Sequence, residues 1–312
     1  MVTSSSGSSY NDDLRLAHVL ADTADNQTME RFGAVDLQVA TKPDMTFVTE
    51  SDEAAEAAIR RVLRSSRPRD AVLGEEAGEE PGHAGREGRR WIVDPIDGTA
   101  NFVRGVPVWA TLIALEDDGE IVAGCVSAPA LGRRWWAAQG TGAYTGKSLL
   151  SSRRIQVSQV SRLDDASLSY ASLGGWEEIG KIQAFSALLR RCWRTRAFGD
   201  FWSYMLLAEG AVDIAAEPEL KIWDMAALDV IVREAGGRFT SLAGEAGPWG
   251  DNALATNGLL HDDAMAYVGH FPDAPEGLGE DWSDEPEPDP EEDLGADVHA
   301  FDFSRRPFDD AP

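Results

Sequence analysis

Apolar residues recur at helical spacing in the first part of the chain. Within residues 12–32 they lie one to four positions apart on one side of a helix, at Leu16, Val19, Leu20 and Ala24. This spacing predicts an amphipathic helix, and the acidic residues at its start suit the positive end of a helix dipole. Further along, Thr49 to Ser51 can cap a second helix that runs to about Arg64. We therefore expect two helices before the first strongly apolar strand.

Short apolar runs between turn residues predict a set of strands in the middle of the chain. These runs occupy residues 71–76, 91–93, 107–116, 121–128 and 133–138. Pro95 has no backbone donor, which predicts that the strand at 91–93 stops there. Residues 117–119, Asp-Asp-Gly, have the composition of a hairpin turn. Residues 140–148 are predicted to be a turn-rich link.

The second half of the chain alternates between strand and helix patterns. Strand-like runs lie within residues 161–175 and at 212–216, and helical patterns cover residues 178–191, about 201–209 and 224–235. Alternation of this kind is typical of a layered α/β architecture.

Composition and charge narrow the possible partners. The chain has 312 residues, of which 43% are hydrophobic, so it can bury a sizeable core. Its formal net charge of −26 argues against nucleic acid and anionic membranes as partners. The N-terminus lacks the basic start and apolar run of a signal peptide, and no apolar run is long enough to predict a membrane span. Cys125 and Cys192 are far apart and imply no disulfide framework, which favours a cytoplasmic location.

The two ends differ in composition from the region between them. Residues 1–10 are rich in Ser and Gly and are predicted to be a disordered lead. Residues 273–312 hold 15 acidic residues against two arginines, a net charge of −13. Such a tail cannot bury enough apolar surface to fold alone, so it is predicted to be disordered. One folded region is therefore expected over residues 11–270.

The candidate chemistry is concentrated in residues 91–99, WIVDPIDGT. Asp94 and Asp97 lie three residues apart with the carbonyl of Ile96 between them, and Thr99 adds a hydroxyl. Two carboxylates and a carbonyl form an all-oxygen set, which suits a hard cation such as Mg²⁺. A plain acidic turn is the alternative interpretation, because Asp, Pro and Gly are also turn residues.

Two distant segments favour the metal-site interpretation. GEE at 74–76 ends another apolar run, and WDMAA at 223–227 opens a helix. With them, the chain resembles the inositol-monophosphatase superfamily of Mg²⁺-dependent, lithium-sensitive phosphatases over about residues 11–270. The two family signatures are present as WIVDPIDGTANF and WDMAALDVIVREAGG. The resemblance implies a layered αβαβα sandwich of the inositol-monophosphatase/fructose-1,6-bisphosphatase type, a small phosphate monoester as substrate, and a homodimer.

The resemblance also implies a set of metal ligands. Glu75, Asp94 and the Ile96 carbonyl would hold one Mg²⁺, and Asp94, Asp97 and Asp224 would hold a second. A third, weaker ion would share Glu75, which gives two to three ions per site.

Further positions are matched to the reaction itself. Asp52 and Thr99 would pair to orient the attacking water, and Glu75 is counted with them as catalytic. The backbone amides of Gly98 and Thr99 would meet the phosphate, as expected where a turn opens a helix. For Asp52 the alternative is a helix N-terminal acid, favoured by the helix dipole alone.

Substrate choice is predicted to depend on Asp200 and Glu217, beside Asp97 and Asp224. Glu217 lies seven residues before Asp224, where the family has a substrate-contacting Glu. Two carboxylates suit a substrate that is cationic beyond its phosphate, such as histidinol phosphate. The stretch at 199–224 also resembles the histidinol-phosphatase branch of the superfamily. A helix-capping role for Asp200 stays open as an alternative.

Three functions follow as hypotheses. The first is a histidinol-phosphate phosphatase of histidine biosynthesis. The second is an inositol-1-monophosphatase or a broader sugar-phosphate phosphatase. The third is a non-catalytic homologue whose acidic tail binds a partner, and the complete set of metal-ligand residues argues against it.

Overall fold

The computed structural model describes residues 10–42, 47–83 and 88–269. The predicted N-terminal lead, apart from Tyr10, and the predicted acidic tail at 273–312 lie outside the described residues. Among the described residues, no helix is long and apolar enough to cross a membrane.

The strands form one small ribbon and two larger sheets. The ribbon is antiparallel and consists of β1 (Val39–Thr41) and β2 (Phe47–Thr49). The eight strands of the larger sheet are β3 (Ala71–Gly74), β4 (Gly78–Glu80), β5 (Arg89–Asp97), β6 (Ala110–Asp117), β7 (Glu120–Ala128), β8 (Arg133–Ala138), β9 (Gly142–Ser148) and β10 (Ser151–Ile155). The five strands of the smaller sheet are β11 (Ser167–Ser169), β12 (Arg194–Arg196), β13 (Ile214–Glu217), β14 (Arg238–Thr240) and β15 (Ala253–Thr256).

The larger sheet is mostly an antiparallel meander. Its spatial order is β10-β9-β8-β7-β6-β5-β3-β4, and β3 and β5 are its parallel pair. The smaller sheet has the order β12-β11-β13-β15-β14 and is mixed, with β11 parallel to both of its neighbours. The carboxyl ends of β3 and β5 therefore meet at one edge, which places their acidic residues together.

Eight α-helices and two short 3₁₀ helices, Pro129–Leu131 and Leu163–Asp165, complete the described chain. The α-helices are α1 (Asn11–Arg31), α2 (Glu50–Ser66), α3 (Thr99–Val103), α4 (Gly174–Glu178), α5 (Ile182–Arg191), α6 (Asp200–Ala208), α7 (Ile222–Glu234) and α8 (His261–Val268). Three apolar clusters separate the layers. One joins α1 and α2 to the larger sheet, a second packs α6 and α7 between the two sheets, and a third packs α5 and α8 on the smaller sheet. The order is helix, sheet, helix, sheet, helix, which confirms the predicted αβαβα sandwich.

The hydrophobic patterns located most of these elements. The predicted helices at 12–32, from 49 to about 64, at 201–209 and at 224–235 agree with α1, α2, α6 and α7 to within a few residues. The hairpin turn at 117–119 is also confirmed, because Asp118 and Gly119 both have positive φ between β6 and β7. Long periodic segments were thus predicted well.

Three predictions from local composition were wrong. Residues 140–148 are not a link but contain β9, which pairs with both β8 and β10. Its polar residues gave no strand pattern in the sequence. The helix expected over 178–191 begins only at Ile182, because Gly180, with φ +70°, separates it from the short α4 that ends at Glu178. Pro95 does not end β5, which continues to Asp97. The register of β5 on β6 shifts between Asp94 and Asp97, so the missing donor of Pro95 falls where the ladder is already irregular.

Candidate metal and substrate site

Three carboxylates converge where β5 ends beside the start of α7. They belong to Asp94, Asp97 and Asp224, and one oxygen from each lies within 4.8 Å of the other two. The irregular register of β5 places the two strand residues, and the first turn of α7 places the third. Residues about 130 positions apart in sequence thus form one cluster, which we call the carboxylate cluster.

Backbone amides hold each carboxylate of the cluster in place. Asp94 accepts from the N–H of Ile96 at 2.9 Å, and Asp97 accepts from the N–H of Phe201 at 2.7 Å. Asp224 accepts from the N–H of Lys221 at 2.7 Å, across the N-terminus of its own helix. These bonds fix the side chains without adding a positively charged partner.

The carboxylate cluster resists ionisation. Burial raises the pKa of Asp94 well above its ordinary value, and the charges of Glu75, Asp97 and Asp224 raise it further. Burial and the charges of Asp200 and Asp224 act the same way on the pKa of Asp97. The pKa of Asp224 rises to about 7, again first through burial. A cation would remove this penalty, and an all-oxygen donor set fits a hard divalent ion.

Glu75 lies beside the carboxylate cluster and not within it. It follows β3, and its Oε1 accepts from Lys42 Nζ at 2.7 Å. Lys42 also donates to Glu76 at 2.9 Å. The sequence analysis missed Lys42, because no motif or periodicity distinguishes it. Lys42 bonds to Oε1, so the ligand role predicted for Glu75 falls to its other oxygen, Oε2.

Thr99 and Asp52 meet next to the carboxylate cluster. Thr99 Oγ1 lies 3.0 Å from the carbonyl oxygen of Ile96 and 3.4 Å from Asp52 Oδ1. The other oxygen of Asp52 accepts from the N–H and the hydroxyl of Thr49, at 2.8 and 2.5 Å. This second set is a helix capping box, as expected for a helix N-terminal acid, and the role of Asp52 with Thr99 in orienting the water stays a prediction. Burial raises the pKa of Asp52 to about 6.

Gly98 is required by the backbone at the turn after β5. Its φ is +84°, a conformation that side-chain-bearing residues rarely adopt. A Cβ atom there would lie 3.1 Å from the carbonyl oxygen of Val108 and 3.2 Å from Asp200 Oδ2. The glycine therefore lets a carboxylate from α6 approach the turn that begins α3.

Two cavities open on the carboxylate cluster. The larger has a volume of about 770 Å³ and is lined by Lys42, Glu75, Gly98 and Thr99 together with the cluster. The smaller has a volume of about 420 Å³ and extends towards β13 and α4. Asp97, Asp200 and Asp224 line both cavities, so a ligand in one adjoins the other.

Asp200 does not cap α6, which corrects the capping alternative. The N-cap position belongs to Gly199, and no side chain caps this helix. Asp200 instead has φ +48°, and its Oδ2 accepts from Asn101 Nδ2 at 2.9 Å. Burial raises the pKa of Asp200 to about 6. Asn101, which the sequence analysis did not select, thus helps to hold a carboxylate at the junction of the cavities.

Glu217 lies at the end of β13 in the wall of the smaller cavity. It is 5% exposed, and its Oε1 has no hydrogen-bond partner among the described residues. Burial, followed by the charge of Asp200, raises the pKa of Glu217 well above its ordinary value. Tyr204, Glu178 and Glu219 line the same cavity and were also missed, because they read as ordinary helix or loop residues.

Comparisons with known proteins agree with this geometry. The family model described as the inositol monophosphatase family matches residues 12–271. The chain is 61% identical over 263 residues to a histidinol-phosphatase of Streptomyces coelicolor, covering 83% of this chain and 97% of that protein. It is 58% identical over 257 residues to a histidinol-phosphatase of Mycobacterium tuberculosis, covering 82% and 98%. The solved structure of an IMPase of Thermotoga maritima superposes with a TM-score of 0.73 at 32% identity, covering 82% and 96%.

Proposed function

The chain belongs to the inositol monophosphatase family of phosphoric monoester hydrolases, and we propose that it hydrolyses L-histidinol phosphate. The products are L-histidinol and phosphate, and the reaction belongs to histidine biosynthesis in the cytoplasm. Mg²⁺ dependence and inhibition by lithium are parts of the same proposal. The homodimer and the exclusion of nucleic-acid and membrane partners stay predictions.

The charge of the smaller cavity carries this proposal. Six carboxylate side chains line it, and in the part of the chain that the structure describes no Lys or Arg does. They are Asp97, Glu178, Asp200, Glu217, Glu219 and Asp224. Histidinol phosphate carries an ammonium and an imidazole beyond its phosphate, so these acids complement it. A neutral polyol phosphate such as inositol phosphate gains less from the same wall.

The carboxylate cluster fits the divalent ions that the reaction needs. Asp94, Asp97, Asp224 and the Ile96 carbonyl would hold them, with Glu75 beside this set. Bound there, Mg²⁺ would polarise the phosphoryl oxygens and stabilise the charge that develops during hydrolysis. Such help is necessary because phosphate monoesters hydrolyse extremely slowly by themselves.

The chain supplies the groups that handle water and phosphate. The Thr99 hydroxyl can donate a hydrogen bond to Asp52 while its oxygen accepts a hydrogen bond from the attacking water. With a pKa of about 6, Asp52 is largely ionised at neutral pH and serves as the acceptor in this pair. Gly98 and Thr99 line the larger cavity, where their backbone amides would meet the phosphate oxygens.

A comparison of substrates tests the proposal. Purified protein with Mg²⁺ should have a higher kcat/KM for histidinol phosphate than for inositol 1-phosphate or fructose 1,6-bisphosphate. EDTA should abolish all three activities, and Mg²⁺ should restore them. A preference for inositol 1-phosphate or for the sugar phosphate would favour the broader phosphatase instead. Full activity in EDTA would contradict the metal requirement.

A further inference from the structure

Tyr204 places an unpaired hydroxyl in the wall of the smaller cavity. Its side chain is 1% exposed, and its oxygen has no hydrogen-bond partner in the described chain. It lies four residues after Asp200 on α6, so the two share one face of the helix. Its ring packs against Phe239, with centroids 5.7 Å apart. A buried hydroxyl without a partner is costly, which points to a partner that arrives with the ligand.

The oxygen Oε1 of Glu217 is in the same situation in the same cavity. It too is buried and unpaired among the residues described, and it comes from β13 rather than from α6. After burial, the charge of Glu217 is the largest cause that raises the pKa of Tyr204 well above its ordinary value. The phenol therefore keeps its proton at neutral pH, and two elements of the fold present one hydroxyl and one carboxylate to a shared space.

An imidazole ring satisfies both groups at once. Neutral imidazole has one N–H donor and one nitrogen acceptor, so it can donate to Glu217 and accept from the Tyr204 hydroxyl. The imidazolium form has two donors, and the Tyr204 oxygen can accept one of them. A simple ammonium can also donate to both oxygens, but it cannot accept the hydrogen bond of the phenol, as neutral imidazole does. The pair is thus suited to a planar ring with two nitrogens.

We propose that Tyr204 is a specificity-determining residue that, with Glu217, binds the imidazole end of the substrate. This inference rests on the proposed function and deepens it, since it assigns the part of the substrate that the smaller cavity recognises. The phosphate end lies with the carboxylate cluster and cannot discriminate between phosphate esters.

The test is the variant Tyr204→Phe, which removes one oxygen and keeps the ring against Phe239. The ratio of kcat/KM for histidinol phosphate to kcat/KM for glycerol 2-phosphate should fall about tenfold, the effect of losing one hydrogen bond. Tyr144→Phe is the matched control, because Tyr144 lies on β9 and lines neither cavity. It should leave the ratio unchanged. The melting temperature of Tyr204→Phe should equal or exceed that of the wild type, since an unpaired buried hydroxyl is removed.

Two further measurements separate imidazole recognition from a general effect. The inhibition constant of L-histidinol should rise about tenfold in Tyr204→Phe, whereas that of inorganic phosphate should change far less. Phosphoethanolamine, which has an ammonium but no imidazole, should lose much less kcat/KM than histidinol phosphate does. Equal losses on phosphoethanolamine and histidinol phosphate would show that Tyr204 does not read the ring and would overturn the inference.

The remaining outcomes distinguish the two proposals. If the wild type prefers histidinol phosphate and Tyr204→Phe keeps the full preference, the role of Tyr204 is wrong and the proposed function stands. If the wild type has no preference for histidinol phosphate, the proposed function fails, and the imidazole assignment fails with it.

Discussion

Among the buried acidic side chains that the structure describes, two groups differ in what faces them. In one group Arg89 is surrounded by Asp13, Asp70 and Asp117, with nitrogen–oxygen distances of 2.6, 2.9 and 3.3 Å. We call this the arginine-paired cluster. In the other, the carboxylate cluster, the acids Asp94, Asp97 and Asp224 face one another, and the charged neighbours that raise their pKa values are further acids.

The comparison shows that the number of buried acids does not reveal their purpose. A buried charge needs a partner, and the guanidinium of Arg89 supplies one from within the chain. The carboxylate cluster has backbone amides for support, and in our proposal a cation from solution is its partner. The first arrangement neutralises its acids within the fold, and in our proposal the second accepts repulsion between its acids in return for a binding site.

The largest effect should come from Asp97→Asn. Asparagine still offers an oxygen to the amide of Phe201 but removes a charge from the carboxylate cluster. We expect kcat to fall by about 10²–10³-fold or more, as for the loss of a main electrostatic group. In EDTA the variant should melt no lower than the wild type, because like-charge repulsion is reduced.

Asp70→Asn in the arginine-paired cluster is the matched control. Asp70 accepts from Arg89 and, at 3.0 Å, from Trp91 Nε1. The same chemical change should there lower the melting temperature and leave kcat nearly unaltered. Calorimetry and steady-state kinetics on both variants check the pair. If Asp97→Asn kept its turnover, the metal assignment would have to be abandoned.

Arg89→Met should produce the complementary effect on stability. Removing the guanidinium leaves three largely buried aspartates without their shared partner, and breaking a buried ion pair costs about 3–5 kcal/mol. We expect this loss in the free energy of unfolding, measured by urea denaturation, with turnover nearly intact at temperatures where the protein stays folded. A loss below about 1 kcal/mol would mean that this cluster contributes no more to stability than surface ion pairs do.

Specificity should respond to the acids of the smaller cavity. Glu217→Gln and Asp200→Asn each remove a carboxylate from the wall of the smaller cavity, where we place the part of the substrate beyond its phosphate. A hydrogen bond to a charged group contributes about 1.5–3 kcal/mol, so each change should lower kcat/KM for histidinol phosphate roughly 10- to 150-fold. The loss for glycerol 2-phosphate, measured in parallel, should be far smaller. Equal losses on both esters would mean that these acids support the carboxylate cluster or the fold.

Features of the fold and the site that depend on neighbouring residues could be predicted from the sequence. Features that depend on residues far apart in the chain were harder to predict. One short segment contains Asp94, Asp97 and Gly98, and its turn residues indicate an unusual backbone conformation. Asp52 lies in a pattern typical of a helix cap. Asp224 was found only through the family resemblance, because nothing local distinguishes it from other helix N-terminal acids.

The residues that sequence reasoning missed acquire their role through packing. In the sequence Tyr204 looks like an ordinary apolar position of α6. Only the structure shows that its hydroxyl is unpaired and that it lines the same cavity as Glu217. Lys42 bonds to Glu75, which lies 33 positions later in the sequence. Arg89 forms ion pairs with acids from three separate parts of the chain. No periodicity encodes such contacts. The same holds for β9, whose polar residues become a strand only because two neighbours pair with it.

The smallest effect should come from removing residues 273–312. These residues carry half of the net charge, and the family match ends before them, at residue 271. They follow the part of the chain that the family model matches, so we expect them to contribute neither a ligand nor a structural ion pair. Their remaining influence on a cationic substrate is long-range attraction, which is screened over about 8 Å at physiological ionic strength and over about 30 Å at 0.01 M.

We therefore expect the truncated protein to keep kcat at both salt concentrations. Its kcat/KM for histidinol phosphate should match the full chain at 0.15 M salt and fall slightly below it at 0.01 M. A large loss at 0.15 M salt would mean that the tail contacts the site directly, since screening leaves no other route for its charge to act.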